Sequence, residues 1–157
     1  MISVYIDGDN CPTLVLEFVA KYCRQNEFLL KIAANRKISI KNAEENSDYE
    51  MIVCPVQKDA ADNYIIANAG AKSLVITKDV ILAEKLVAEN IITINDRGTI
   101  FEKNSIKYRM QDRDLNLQLA ALGFGGKKEK NYNQENLEKF IKSFEKAISI
   151  IQNRCNS

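Results

Sequence analysis

The sequence predicts an α/β fold of three layers, α/β/α, built on a mainly parallel five-stranded sheet. Short apolar, β-branched runs recur along the chain, each bounded by turn residues. Segments with apolar residues at helical spacing alternate with most of these runs, which implies right-handed crossovers covering both sheet faces. The chain has 157 residues, 46% apolar and 27% charged, the size and composition of one globular domain spanning 1–157.

The elements follow in order. Ile2 to Ile6 reads as a buried first strand, ended by the turn cluster Asp7-Gly8-Asp9-Asn10. Pro12 suits the first turn of a helix, which Leu14, Phe18, Val19 and Tyr22 carry to about Arg24. Phe28 to Ala33 is the second strand. Asn35 to Ser47 is polar and basic, and is expected to be a loop holding at most a short strand or helical turn. Glu50 to Cys54 is the third strand, closed by Pro55. Asp59 opens a helix to about Asn68, with Ala61, Ile65 and Ile66 as its stripe and Gly70 placed to end it. Ser73 to Thr77 is the fourth strand. Asp79 starts a helix whose Leu82, Ala83, Leu86 and Val87 face inward. Ile91 to Ile94 is the fifth strand, followed by the turn Asn95-Asp96-Arg97-Gly98 and a small extended piece, Thr99 to Phe101. Ser105 is expected to cap a helix to about Leu122. Gly123-Phe124-Gly125-Gly126 and Lys127-Lys128-Glu129-Lys130 form a flexible joint. The last helix runs from about Gln134 to Ile151, burying Leu137, Phe140, Ile141, Phe144 and Ile148.

Composition excludes several function classes. The net charge is +1, from 22 basic and 21 acidic residues, so any polyanion site must be local. Histidine is absent, which rules out a Ser-His-Asp triad, a Cys-His dyad and a histidine-rich zinc site. Proton transfer would fall to carboxylates, lysine, tyrosine or metal-bound water. The four cysteines match no zinc spacing and read as free thiols in a reducing compartment. Asp7 and Asp9 interrupt the first apolar run before a secretory signal could form, and no run nears the roughly 20 residues of a membrane helix. A cytoplasmic protein without membrane contact is expected.

The aspartates carry the chemistry. In an open parallel sheet, ligands bind beyond the carboxyl ends of the strands, near a switch in strand order. Asp7 and Asp9 follow the first strand and Asp79 follows the fourth. Asp59 and Asp62, helix neighbours three apart, open the helix after the third. If Asp7 and Asp9 continue the strand alternation, they share one face, with Gly8 leaving room for close approach. Converging carboxylates repel one another, and burial raises their pKa values further. A hard cation such as Mg²⁺ or Mn²⁺ removes that conflict. The plainer reading is that Asp59 and Asp79 only cap helices; a turn rarely needs two carboxylates, so it explains Asp7 and Asp9 less well.

Around them, Asn10 and Asn63 could orient water or substrate, though asparagine also suits turns and helix ends. Thr77 could bind a phosphate oxygen or cap the helix carrying Asp79. Arg97 follows the fifth strand at the same edge and is a candidate phosphate ligand, while Arg36, Lys37, Lys41, Arg109 and Arg113 read mainly as solvated charge. Cys11, at the start of the first helix, could be a stabilised thiolate or a small residue packed beneath the aspartates.

With these residues in place, the chain resembles the YaiI/YqxD family of uncharacterised bacterial proteins. The matching pieces are Asp7-Gly8-Asp9-Asn10-Cys11-Pro12, Ala61-Asp62-Asn63, Thr77-Lys78-Asp79 with Leu82-Ala83, and Asn95-Asp96-Arg97-Gly98, together with Arg109 and Gly125-Gly126. Lys127 stands where proline is expected. The family is similar to PIN-type domains, α/β/α folds whose acidic clusters bind Mg²⁺ or Mn²⁺ and cleave RNA or single-stranded nucleic acid. The resemblance implies a nuclease-like site at Asp7, Asp9, Asp62 and Asp79. Two other functions compete: a haloacid-dehalogenase-like phosphatase with Asp7 as nucleophile and Asp9 as acid–base, and a non-catalytic protein binding metal or nucleic acid.

Overall fold

A strand buried on both faces needs apolar residues at nearly every position, and the central strand has them. In the computed structural model, which describes residues 1–57, 59–124 and 131–156, β1 (Ser3–Asp7) sends Val4 and Ile6 to one face and Tyr5 to the other, all buried. It lies between β2 (Leu29–Ala34) and β4 (Ser73–Ile76), with β3 (Glu50–Val53) and β5 (Ile92–Ile94) at the edges. The order is β3-β2-β1-β4-β5 and every pairing is parallel. The chain winds outward from β1 on one side, then returns to wind outward on the other. The switch in direction falls between β1 and β4.

Helices cover both faces. On one, α1 (Thr13–Asn26) and α5 (Gln134–Cys155) bury Val15, Leu16, Val19, Phe140, Phe144 and Ile148 against β1, β2 and β4. On the other, α2 (Ala60–Asn68) and α3 (Val80–Ala88) bury Ala61, Ile65, Leu82 and Leu86 around Tyr5, Ala33 and Val75. The predicted three layers are therefore present. Ala83 and Val87, from the back of α3, pack with Phe101 and Ile106, docking α4 (Lys103–Ala121). No helix among the described residues is long and apolar enough to cross a membrane.

Several local expectations are corrected. Pro12 sits one place before α1, as its N-cap, with φ −61°. Gly70 does not take the left-handed conformation expected of a helix-ending glycine; α2 is left through extended Ala69, and the Gly70 N–H donates to Ser73 Oγ. Ser105 does not cap α4, which starts two residues earlier after Glu102. Asp59 precedes α2 with φ +66° and makes no side-chain cap bond. The polar loop from Asn35 contributes to the core: Ile38, Ile40 and Tyr49 are buried, and the Tyr49 hydroxyl donates to the Ile38 carbonyl. Of the joint expected from Gly123 to Lys130, residues 125–130 lie outside the described residues.

Gly8 has an apolar rather than a ligand-binding reason. A Cβ there would meet Ile38 Cδ1 at 2.7 Å and Ile32 Cγ2 at 2.8 Å. Only glycine lets the loop seat Ile38 under the turn after β1, and that turn carries the first aspartates.

Candidate functional site

The site is built where β1 and β4 end side by side. Asp7 is the last residue of β1, and Thr77 follows β4. The Thr77 hydroxyl donates to Asp7 Oδ2 at 2.9 Å, while its oxygen accepts the Asp79 N–H at 3.0 Å. Asp79 Oδ1 in turn accepts the N–H groups of Ile81 and Leu82, at 2.9 and 3.2 Å, so this aspartate caps α3. Capping and a site role are thus compatible, because one carboxylate oxygen suffices for the cap. Asp9 does not continue the strand's pleat: Gly8–Asn10 form a 3-10 turn, and Asp9 Oδ1 accepts the Asn35 N–H at 2.8 Å. Asp62 lies in the first turn of α2.

These side chains line one cleft of about 340 Å³, together with Asn10, Asp59, Lys78 and Asp96. Of the residues singled out from sequence, Asp7, Asp9, Asp62, Asp79, Asn10 and Thr77 come together there. Asn63 and Arg97 do not line it; Asn63 is exposed on α2, and the Arg97 N–H is spent on the Asn95 side chain within the turn. Sequence reasoning missed Asp96 and Lys78. The signal for Asp96 is its position two residues after β5 at the same sheet edge, inside the turn Asn95-Asp96-Arg97-Gly98.

Electrostatics set this cleft apart. Burial pushes Asp62 up to about 7, helped by the carboxylates of Asp79, Asp7 and Asp59 and by a hydrogen bond shared with Asp79. Burial also raises Asp7, with Asp9 and Asp79 adding to the rise and the Thr77 hydroxyl opposing it. The Lys78 ammonium stands 3.4 Å from Asp96 Oδ2, yet that buried oxygen has no hydrogen bond. All the acidic donors are oxygen, which suits a hard cation. Among the described residues, no three His, Cys, Asp or Glu side chains are arranged to grip a metal ion together. A magnesium ion that keeps most of its waters needs only one or two direct carboxylates; the candidates in this cleft are Asp7, Asp62 and Asp79.

Cys11 is not a stabilised thiolate. Burial pushes its thiol up to about 12, and Asp96 and Asp7 add to the rise while Lys78 opposes it. Iodoacetamide near pH 8 is expected to label exposed Cys155 and spare Cys11 in the native protein. Peptide mass mapping checks this, and Cys11 labelled as fast as Cys155 would refute it.

The comparisons with known proteins bear on the family. The profile described as "Uncharacterized BCR, YaiI/YqxD family" matches residues 5–150. A UPF0178 protein of Treponema denticola is 31% identical over 139 residues, covering 88% of this chain and 86% of the relative. UPF0178 proteins of Marinomonas sp. and Pseudomonas putida are 28% and 27% identical over 148 residues, each covering 94% of this chain and 97% of the relative. No solved structure matches significantly. The profile spans both walls of the cleft, from β1 to α5, and on that match the chain belongs to the YaiI/YqxD family.

Proposed function

We propose that this protein is a divalent-metal-dependent phosphodiesterase, nuclease-like, acting on RNA or single-stranded nucleic acid. The observation that carries the proposal is the gathering of aspartates from β1, α2, α3 and the β5 turn around one cleft, with Asp62 held near neutrality. Carboxylates that repel one another and stay buried suit a site meant for a cation. The resemblance to PIN-type domains points the same way.

Bound Mg²⁺ or Mn²⁺ would supply a polarised water and neutralise charge on a phosphoryl oxygen. The chain's own residues do the rest. Thr77 and the Asp9 backbone hydrogen-bond the Asp7 carboxylate and fix its orientation at the cleft. Asp79 is oriented by its cap bonds to α3. Asp62, in the first turn of α2 on the wall of the same cleft, completes the metal's shell or orients the attacking water. Histidine is not needed for any of these tasks.

Millimolar Mn²⁺ is expected to raise the melting temperature, since a ligand of the folded state stabilises it. It is also expected to support cleavage of a single-stranded oligonucleotide. Asp7→Asn should lose both. No thermal shift and no cleavage with wild type would refute the proposal, and a phosphorylated Asp7 trapped by mass spectrometry would replace it with phosphatase chemistry.

A further inference from the structure

Resting on that nuclease-like reading, we infer that Lys78 holds a backbone phosphate of the substrate at the mouth of the cleft and that Asp96 positions it there. Six aspartates line the cleft, and a phosphodiester approaching them is repelled. Among the described residues, Lys78 is the one basic side chain in the lining. It sits between Thr77 and Asp79, both tied into the site by hydrogen bonds. The Thr77 N–H also donates to the Ile94 carbonyl at 3.0 Å, so the backbone at the base of Lys78 is anchored on β5.

The second observation is Asp96. Its residue is 4% exposed, and its Oδ2 has no hydrogen bond and faces the Lys78 ammonium at 3.4 Å. A buried carboxylate oxygen with no hydrogen bond is a poor stabilising device. It is, however, an effective way to hold a flexible ammonium in place. The backbone of Asp96 is itself fixed, since its carbonyl accepts the Tyr132 hydroxyl at 2.7 Å. The Lys78 side chain is 38% exposed, so it reaches solvent at the cleft while its charge is tethered from below. A lysine binds phosphate as a point charge without reading bases, so the ligand class is the sugar–phosphate backbone of a single strand.

The test uses fluorescent single-stranded oligouridylate and oligoadenylate in Ca²⁺, with the strands recovered intact afterwards, over a series of salt concentrations. Lys78→Met is expected to weaken both equally and to lower the slope of log affinity against log salt by about 0.7, the loss of one phosphate contact on a single strand. Lys78→Arg should restore the slope. Asp96→Asn should weaken binding, yet add nothing further in a Lys78→Met background, because both act through the same contact. The thermal shift with Mn²⁺ should persist or grow in Lys78→Met, since a positive charge has left the acidic cleft. Binding by wild type with an unchanged slope in Lys78→Met would overturn the inference and leave the nuclease-like reading standing. No binding by wild type at any salt would overturn both.

Discussion

Asp62→Asn is expected to raise the melting temperature of the metal-free protein above about pH 8, and to weaken its response to Mn²⁺ sharply. The two effects have one cause. Asp62 is pushed from the ordinary 3.8 to about 7 by burial and by Asp79, Asp7 and Asp59. Below about pH 4 it is protonated in both folded and unfolded chains, so it exerts no penalty. Between there and about pH 7 the folded protein retains a proton the unfolded chain has released, and stability falls as pH rises. Above about pH 7 the penalty is complete. The side chain is partly exposed, so solvent screening trims the full linkage to about 1–2 kcal/mol, or roughly 3–7 °C for a chain of this length. The lost favourable contact with the α2 N-terminus, about 0.3–1 kcal/mol, works against this gain. The gain should therefore be full above about pH 7, shrink as pH falls from there, and vanish near pH 4. Wild type with Mn²⁺ should show the mirror image: a thermal shift that is large above pH 7 and shrinks below it as protons compete for the oxygens. Melting curves of both proteins across pH, with and without Mn²⁺, check the pair of effects. A variant no more stable than wild type at high pH would show that the carboxylates are not in conflict.

How much of this was legible beforehand depends on which forces act locally. The strands were readable because a parallel sheet buried on both faces leaves an uninterrupted apolar run, as at Val4 to Ile6 and Leu74 to Ile76. The predicted ends of β1, β3 and β4 fall within a residue of the observed ones. The α5 stripe was readable for the same reason in helical spacing, with Phe140, Phe144 and Ile148 all buried. The loop from Asn35 was not, because its polar majority hides Ile38 and Ile40, whose burial depends on the space above Gly8. Helix α4 misled at its start: Ser105 looks like a cap, but the packing of Phe101 and Ile106 on α3 fixes where the helix begins. At the site, residues at or just beyond strand ends could be placed from the strands alone, which found Asp7 and Asp79. Asp96 obeyed the same rule and was passed over for Arg97, since a charge pair with Lys78 across two loops has no local signature.

Gly98→Ala is expected to cost more stability than any other glycine substitution in the described part of the chain, about 2–5 kcal/mol. Gly98 has φ +89°, where an L side chain is strained by about 1–2 kcal/mol. The space is worse than the strain. A Cβ would lie 2.5 Å from the Lys139 carbonyl oxygen and 2.8 Å from its carbon. Those are backbone atoms of α5, and they cannot turn aside as a side-chain tip can. The helix is pinned nearby by buried Phe140 and Phe144, and the Ser143 hydroxyl donates to the Gly98 carbonyl. Relief would require α5 to lift off the sheet, exposing core that β4 and β5 share with it, which adds roughly 1–3 kcal/mol of overpacking. Against a total of about 5–15 kcal/mol for a protein of ordinary stability, such a loss would bring unfolding close to room temperature in the weakest case. Gly70→Ala is the control, since nothing lies within 4 Å of its added carbon and its φ is not in the left-handed region. Urea unfolding of both variants decides the matter. A midpoint for Gly98→Ala as close to wild type as that of Gly70→Ala would mean that the turn after β5 yields. The seating of α5 against it would then not fix the position of Asp96.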